Sequence, residues 1–446
     1  MGLFTVCAVF VIDTLPASAA IGPAVAGWWV LAALLFFLPY GLVSAELGSA
    51  YPERGGLYAW IRRAYGDRWG ARATWLYWAN VALGMPSIYV MAAAMAARMF
   101  RPDLSLRGQT GIALGMTWAT VAAANLPLSR AKDIPNLGAL VKTALVGTLA
   151  AAALLHVARH GPANDLSWPN LLPSTDAALS FLPILLFNLA GFELMSGASE
   201  EMEDPRRDVP RAIGAAGLLI TGLYLLATLS LLAVLPLREL SLVNGILDAL
   251  RAVFGATPAG RSLVTLLGTG ILFTFFATLV AWTLGVSRAA ARAAEEGELP
   301  RAFGIRGGRD GTPLGASLLT GLVSSAVLIG YGLLAGDSEE LFWSLTALAS
   351  AVFLLPYGAL FPAFWTLRRR DPDRPRPYRI PGPDWVAAGI AGIAGYFVLQ
   401  SLLLFVWVPG RPFDPGFALP LIAGVGATLA AGELLIRRPR SLGPRA

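Results

Sequence analysis

The chain has 446 residues, of which 56% are hydrophobic and only 14% charged, and its mean hydropathy is +0.62. A soluble domain carries nearer a quarter charged residues, so a soluble enzyme or binding module is excluded. The net charge of +6 does not mark a nucleic-acid binder, because the basic residues lie in short loops between apolar blocks.

Those apolar blocks run to about 20 residues, the length that crosses a hydrocarbon core. Twelve spans are predicted, at 3–25, 28–49, 72–98, 108–127, 134–157, 177–199, 210–235, 261–289, 313–334, 340–367, 384–408 and 417–436. Met1 to Val11 is apolar with no basic n-region, so it does not read as a cleaved signal peptide. Val6 stands where a myristoylation motif needs Ser or Thr. The chain is read as beginning inside its first span, and no soluble plug is expected after Arg437. Cys7 is the single cysteine, and His156 and His160 are the only histidines. No disulfide framework is expected, and no zinc, haem or other cofactor.

Spans 1 and 6 are poor helices. The first contains Asp13-Thr14-Leu15-Pro16 and the sixth Asn188-Leu189-Ala190-Gly191-Phe192-Glu193. The fifth carries Lys142 near its middle, and the eighth carries Trp282. Glu46 and Glu433 fall near span ends and read as interfacial. The run from Glu200 to Arg211 reads as a solvated connector with helix caps, and that from Arg368 to Pro381 as a stiff loop.

Loop charge gives an orientation. Of 34 basic residues, 25 fall after spans 2, 4, 6, 8 and 10 or beyond the last span; eight fall on the other side, and Lys142 lies within a span. That bias predicts an inner-membrane protein with both termini cytoplasmic. One transmembrane domain is expected over residues 1–446. Spans 1 and 6 hold matching places in two groups of five, and five is odd, so the groups run in opposite directions. This is the inverted-repeat plan, in which paired broken helices form a site near the midplane. The repeats would cover 1–157 and 177–367, with two accessory helices in 384–436.

Four stretches resemble the amino acid–polyamine–organocation superfamily. They are Ala45-Glu46-Leu47 with Pro52-Glu53-Arg54-Gly55-Gly56-Leu57-Tyr58-Ala59-Trp60; Gly191-Phe192-Glu193 with Glu200 to Ile213; Trp282 with Ser287-Arg288 and Ala294 to Pro300; and Leu367 to Arg369 with Asp371-Pro372 and Arg374 to Gly382. Leu15 to Gly22 and Phe36 to Pro39 resemble the glutamate:GABA antiporter branch in particular. The resemblance implies an all-α membrane protein of twelve transmembrane helices. Its fold would be the five-plus-five (LeuT-like) inverted repeat plus two helices, with spans 1 and 6 unwound. The implied activity is exchange or proton-coupled uptake of amino acids or amines.

The resemblance also implies a site. Backbone groups around Ile12, Asp13, Thr14, Leu15, Ala17 and Ser18 would hold a substrate carboxylate, since free N–H groups and a helix N-terminus favour an anion. Pro16 withdraws one donor from that cradle. Carbonyls from Phe187 to Ala190, beside Gly191, would accept from an ammonium. Phe187 matches an aromatic gate, and Trp282 a tryptophan that stacks on a cationic substrate. Lys142 matches the lysine that fills the sodium position in proton-coupled relatives. In this fold it is near enough to pair with Asp13. Either that pair merely locks spans 1 and 5, or Asp13 receives an amine or joins a proton relay. Glu193 matches a proton-sensing glutamate, with a plain interhelical strut as its alternative.

The function expected is therefore a secondary transporter of an amino acid or related amine. It would work by alternating access, proton-coupled or by exchange, and independently of sodium. A passive facilitator and a polyamine transporter are the alternatives. No nucleophile–base set points to an enzyme. The expected partners are the small substrate, protons and lipid. No obligate protein partner is expected, since no cysteine stands in an outer loop, although a homodimer is compatible.

Overall fold

The computed structural model describes residue 7 and residues 10–51, 56–174, 178–191, 205–307, 311–333 and 337–436. Its elements are helices. Among the described residues the only β pairing is a bridge between Gly307 and Thr312. A five-residue helix α1 (Leu15–Ala19) is followed by α2 (Val25–Ala50), α3 (Leu57–Tyr65), α4 (Asp67–Phe100), α5 (Leu106–Ala124) and α6 (Asp133–His160). Then come α7 (Ala178–Leu189), α8 (Pro205–Val234), α9 (Gly245–Phe254), α10 (Pro258–Glu295), α11 (Leu314–Gly332), α12 (Ser338–Arg370), α13 (Asp384–Val406) and α14 (Pro415–Leu435).

Eight stretches of described helix are long and apolar enough to cross a membrane: α2, α4, α6, the Gly217–Val234 part of α8, α10, α12, α13 and α14. Leu179–Leu189 and Leu314–Gly330 are apolar but shorter. The chain is thus a multi-pass membrane protein.

Several helix starts carry the caps that local chemistry requires. Ser105, Thr257, Asp337 and Asp414 each accept a backbone N–H of the first turn of α5, α10, α12 and α14. Hydrocarbon cannot solvate those N–H groups, so such caps fix where a span begins. Helices α4 and α12 form the axis of the bundle. They pack on each other, and 78% of the apolar window of each is buried, against 17% for α14 at the rim. Helices α10 and α6 close one side of that axis. Pro86 interrupts the hydrogen-bond ladder of α4, and Pro356 and Pro362 that of α12. The broken chain around α1 and the end of α7 pack together near this axis.

A candidate cation-binding site at two helix breaks

The first break lies between Phe10 and Thr14, where the backbone is not helical. Pro16 falls in the opening turn of α1, where its missing N–H costs no hydrogen bond. The second break begins at Ala190. Gly191 has φ +97°, a conformation that side chains disfavour, and a Cβ there would stand 3.5 Å from both Phe353 and Trp282. Glu193 lies outside the described residues.

Three buried side chains tie the breaks together. Thr14 Oγ1 donates to Asn188 Oδ1 at 2.7 Å, Asn188 Nδ2 donates to Ser18 Oγ at 3.3 Å, and Ser18 Oγ donates to the Thr14 carbonyl at 3.0 Å. On the other side the Val11 N–H donates to the Tyr224 hydroxyl at 2.9 Å, and the Tyr224 ring stacks on Trp29. Sequence reading did not single out Asn188 or Tyr224 for this work. Asn188 did carry a signal, as an amide within an apolar run.

Lys142 is fully buried on α6 and points at the first break. Its ammonium donates to the Cys7 carbonyl at 2.8 Å, to Thr278 Oγ1 at 3.0 Å and to the Phe10 carbonyl. It thus serves carbonyls of the chain entering the break. Lys142 and Asp13 make no contact ion pair: the three donors of the ammonium are directed at neutral oxygens, and the two charges attract only through space. Close approach of α6 and α10 helps to hold this arrangement, since a Cβ at Gly138 would come within 2.4 Å of Ala277 and 3.2 Å of the Cys7 sulfur.

Between the breaks and the α4–α12 axis lies a cavity of about 60 Å³. Val11, Asp13 and Thr14 line it from the first break, and Phe187 and Ala190 from the second. Its far walls include Asn80 and Ser87 of α4, Thr278 and Trp282 of α10, and Thr346, Ser350 and Phe353 of α12. Ile12, Leu15, Ala17 and Ser18 are close by in the chain but do not line it. Sequence reading missed the contributions of α4 and α12. The one available signal was spacing, as Thr346, Ser350 and Phe353 recur on one helical face.

The chemistry of this cavity is lopsided. Asp13 is the only charged residue among its described lining, and it is 5% exposed. Among the described residues no basic side chain makes a contact ion pair with its carboxylate, although the buried Lys142 ammonium attracts it through space. Aromatic faces stand nearby: Phe353 meets Phe187 at 5.2 Å and Trp282 at 6.0 Å, both in edge contact. Backbone donors for an anion are scarce. The N–H groups of Val11, Leu15 and Ser18 already have acceptors, and Pro16 has none to give. A carboxylate with aromatic walls and few free N–H groups attracts a cation and repels an anion.

Charge is handled differently at the Arg-rich end of the bundle. Glu46, near the end of α2, is 1% exposed. It pairs with Arg368 at 2.5 Å and with Arg376 at 3.3 Å, and it accepts the Ile380 N–H at 2.8 Å. The loop from Arg368 to Pro381 is therefore docked onto α2, because two arginines and a backbone amide converge on one buried carboxylate. Beside it, the Tyr58 hydroxyl donates to Glu298 at 3.0 Å, and Arg62 approaches Glu298 at 3.5 Å and Glu296 at 2.8 Å. Burial pushes the Glu298 carboxyl up to about 7, against the pull of Arg62.

The sequence matches the amino acid permease family over residues 3–427. It is 34% identical to a probable agmatine/putrescine antiporter of Lactococcus lactis, over 98% of this chain and 93% of that protein. It is 32% identical to an uncharacterized transporter of Legionella pneumophila, over 90% and 87%. A glutamate/gamma-aminobutyrate antiporter of Lactococcus lactis is 24% identical over 84% and 76%. The characterised relatives are transporters, not enzymes. The chain belongs to the amino acid permease family, within the amino acid–polyamine–organocation superfamily.

Proposed function

We propose that this protein exchanges small aliphatic amines that lack a carboxylate, of the agmatine and putrescine class, across the cytoplasmic membrane. The observation that carries the reading is Asp13: a buried carboxylate in no contact ion pair among the described residues, and the one charged group in the described lining of the cavity. One substrate ammonium would pair with Asp13, and its aliphatic chain would lie against Phe187, Trp282 and Phe353. The name carried by the Lactococcus relative points the same way, and that relative spans nearly the whole chain. A rice relative named a polyamine transporter, 26% identical over 87% of this chain, agrees with it.

The architecture that suits this function is the twelve-span, five-plus-five inverted repeat, with repeats at 1–157 and 177–367, accessory helices in 384–436, and both termini in the cytoplasm. Lys142 would take the place of a sodium ion against the carbonyls of the first break, making exchange independent of sodium. Glu193 would help couple the site to its inner gate. The cavity of about 60 Å³ is well below the several hundred Å³ of open ligand pockets, so the aromatic wall has to part for substrate to enter.

The test is counterflow in proteoliposomes. Vesicles loaded with putrescine should accumulate labelled agmatine, and empty vesicles should not. Excess external putrescine should compete, whereas glutamate and leucine should not. Equal uptake into empty vesicles would remove exchange, and competition by carboxylate-bearing amino acids at similar concentrations would remove the role given to Asp13.

A further inference from the structure

A second concavity, sharing no lining residue with the transport site, lies on the outer face of the bundle between α12 and α13. It is a groove of about 510 Å³ lined by apolar and small residues. Phe361, Pro362 and Trp365 form one wall, and Ala388, Gly392 and Leu399 are among those forming the other. Pro362, Gly392 and Leu399 are exposed, so in a membrane the groove opens to lipid. Its lining on α13 runs from Ala388 to Leu402, about 21 Å at the helical rise. That exceeds half of a ~30 Å hydrocarbon core, the depth of one leaflet.

Two glycines keep the groove open. A Cβ at Gly358 or at Gly392 would meet nothing within 4 Å, and neither has positive φ. Packing and backbone conformation therefore do not require glycine at these positions, and glycine weakens a helix.

The chemistry at one end is distinctive. Trp365 lines the groove in the last turns of α12, and the Arg369 guanidinium lies 5.7 Å over its ring. Arg369 and Arg370 are both exposed, whereas Arg368 turns inward to Glu46. The carboxylate at this rim, Asp384, is already bonded by Arg368 and Arg379. An apolar trough one leaflet deep, with a tryptophan and the exposed Arg369 at one end and the exposed Arg370 next in the chain, complements one acyl chain and an anionic headgroup.

We propose that this groove is a binding site for an anionic phospholipid, with a tail along α13 and the headgroup phosphate at Arg369 and Arg370. The purified full-length protein, washed free of lipid in detergent, provides the test by thermal unfolding. Phosphatidylglycerol should raise the melting temperature by several degrees more than phosphatidylcholine with the same tails. Glycerol phosphate alone should have little effect, which separates a lipid site from a bare phosphate site.

Two independent variants should each remove at least half of the difference between the lipids. One is Arg369→Gln with Arg370→Gln, which removes the headgroup contacts. The other is Gly392→Leu, which fills the trough where there is room for a side chain. Thermal stabilisation by putrescine reports whether each variant is folded, since it reads the separate transport site. Equal stabilisation by the two lipids, or a difference that survives in both variants, overturns the proposal. So does cross-linking of a Gly392→Cys variant to its counterpart in native membranes, which would assign the groove to a second copy of the chain.

Discussion

Asp13 and Glu46 are carboxylates of nearly equal burial, 5% and 1% exposed, and the protein treats them in opposite ways. Glu46 has two arginines and a backbone N–H. Asp13 has a cavity. A buried ion without a contact counter-ion is costly, and the cost falls when one arrives. Glu46 has its contact cations within the folded chain, whereas Asp13, attracted by Lys142 only through space, has room for one from outside. The lesson is that burial alone does not mark a functional charge: what matters is whether the protein has already supplied the opposite one.

The sharpest way to break this contrast is Asp13→Asn. Exchange should fall about a thousandfold, the loss expected when a desolvated charge pair worth ~4 kcal/mol disappears. The melting temperature should change little, because no contact ion pair is broken. A folded variant that still exchanges putrescine at near-normal rate would end the comparison.

Glu46→Gln should do the reverse. Leaving Arg376 buried without a carboxylate, and Arg368 with Asp384 alone, should cost ~3 kcal/mol of stability, read by denaturation in detergent. Adding Arg368→Met should recover part of that loss. Folded protein should keep an unchanged apparent affinity for amine.

Lys142→Met comes next. It strands the carbonyls of Cys7 and Phe10, at ~2 kcal/mol for the buried acceptors left unpaired. It should also flatten the dependence of transport on an imposed pH gradient. Unchanged pH dependence in a folded variant would leave Lys142 a purely structural cation.

Glu298→Gln should have the smallest effect. The Glu298 carboxyl ordinarily titrates near 4.5 and is pushed up to about 7 in the fold. Between those values the folded chain holds a proton that the unfolded chain has released. Its contribution is fully present below pH 4.5 and is lost as pH rises through 7. The variant should therefore show a flatter stability profile across that window, measured by melting temperature against pH.

Much of the site was legible because apolar spans make exceptions conspicuous. Asp13, Lys142 and the Asn188–Gly191 run stand out in hydrophobic sequence, and the structure brings the first two to the same break. Thr346, Ser350 and Asn80 did not stand out. Small polar residues are frequent in such helices and often bond only their own preceding turn, as Thr117 does to the Ala113 carbonyl. The burial of Glu46 was not legible for a different reason. Its partner Arg368 lies 322 residues away, and no local pattern encodes that meeting. The groove between α12 and α13 was equally hidden, because it exists only where two helices fail to fill the space between them.

Cys7, whose carbonyl receives Lys142, also carries the chain's single sulfhydryl, and that side chain is wholly buried. The natural sequence is thus a ready-made single-thiol reporter, with the label site beside the first break. A small alkylating reagent should be shut out while the first break is closed and admitted as it loosens. The labelling rate, with and without putrescine, then clocks the transport cycle without any engineered probe.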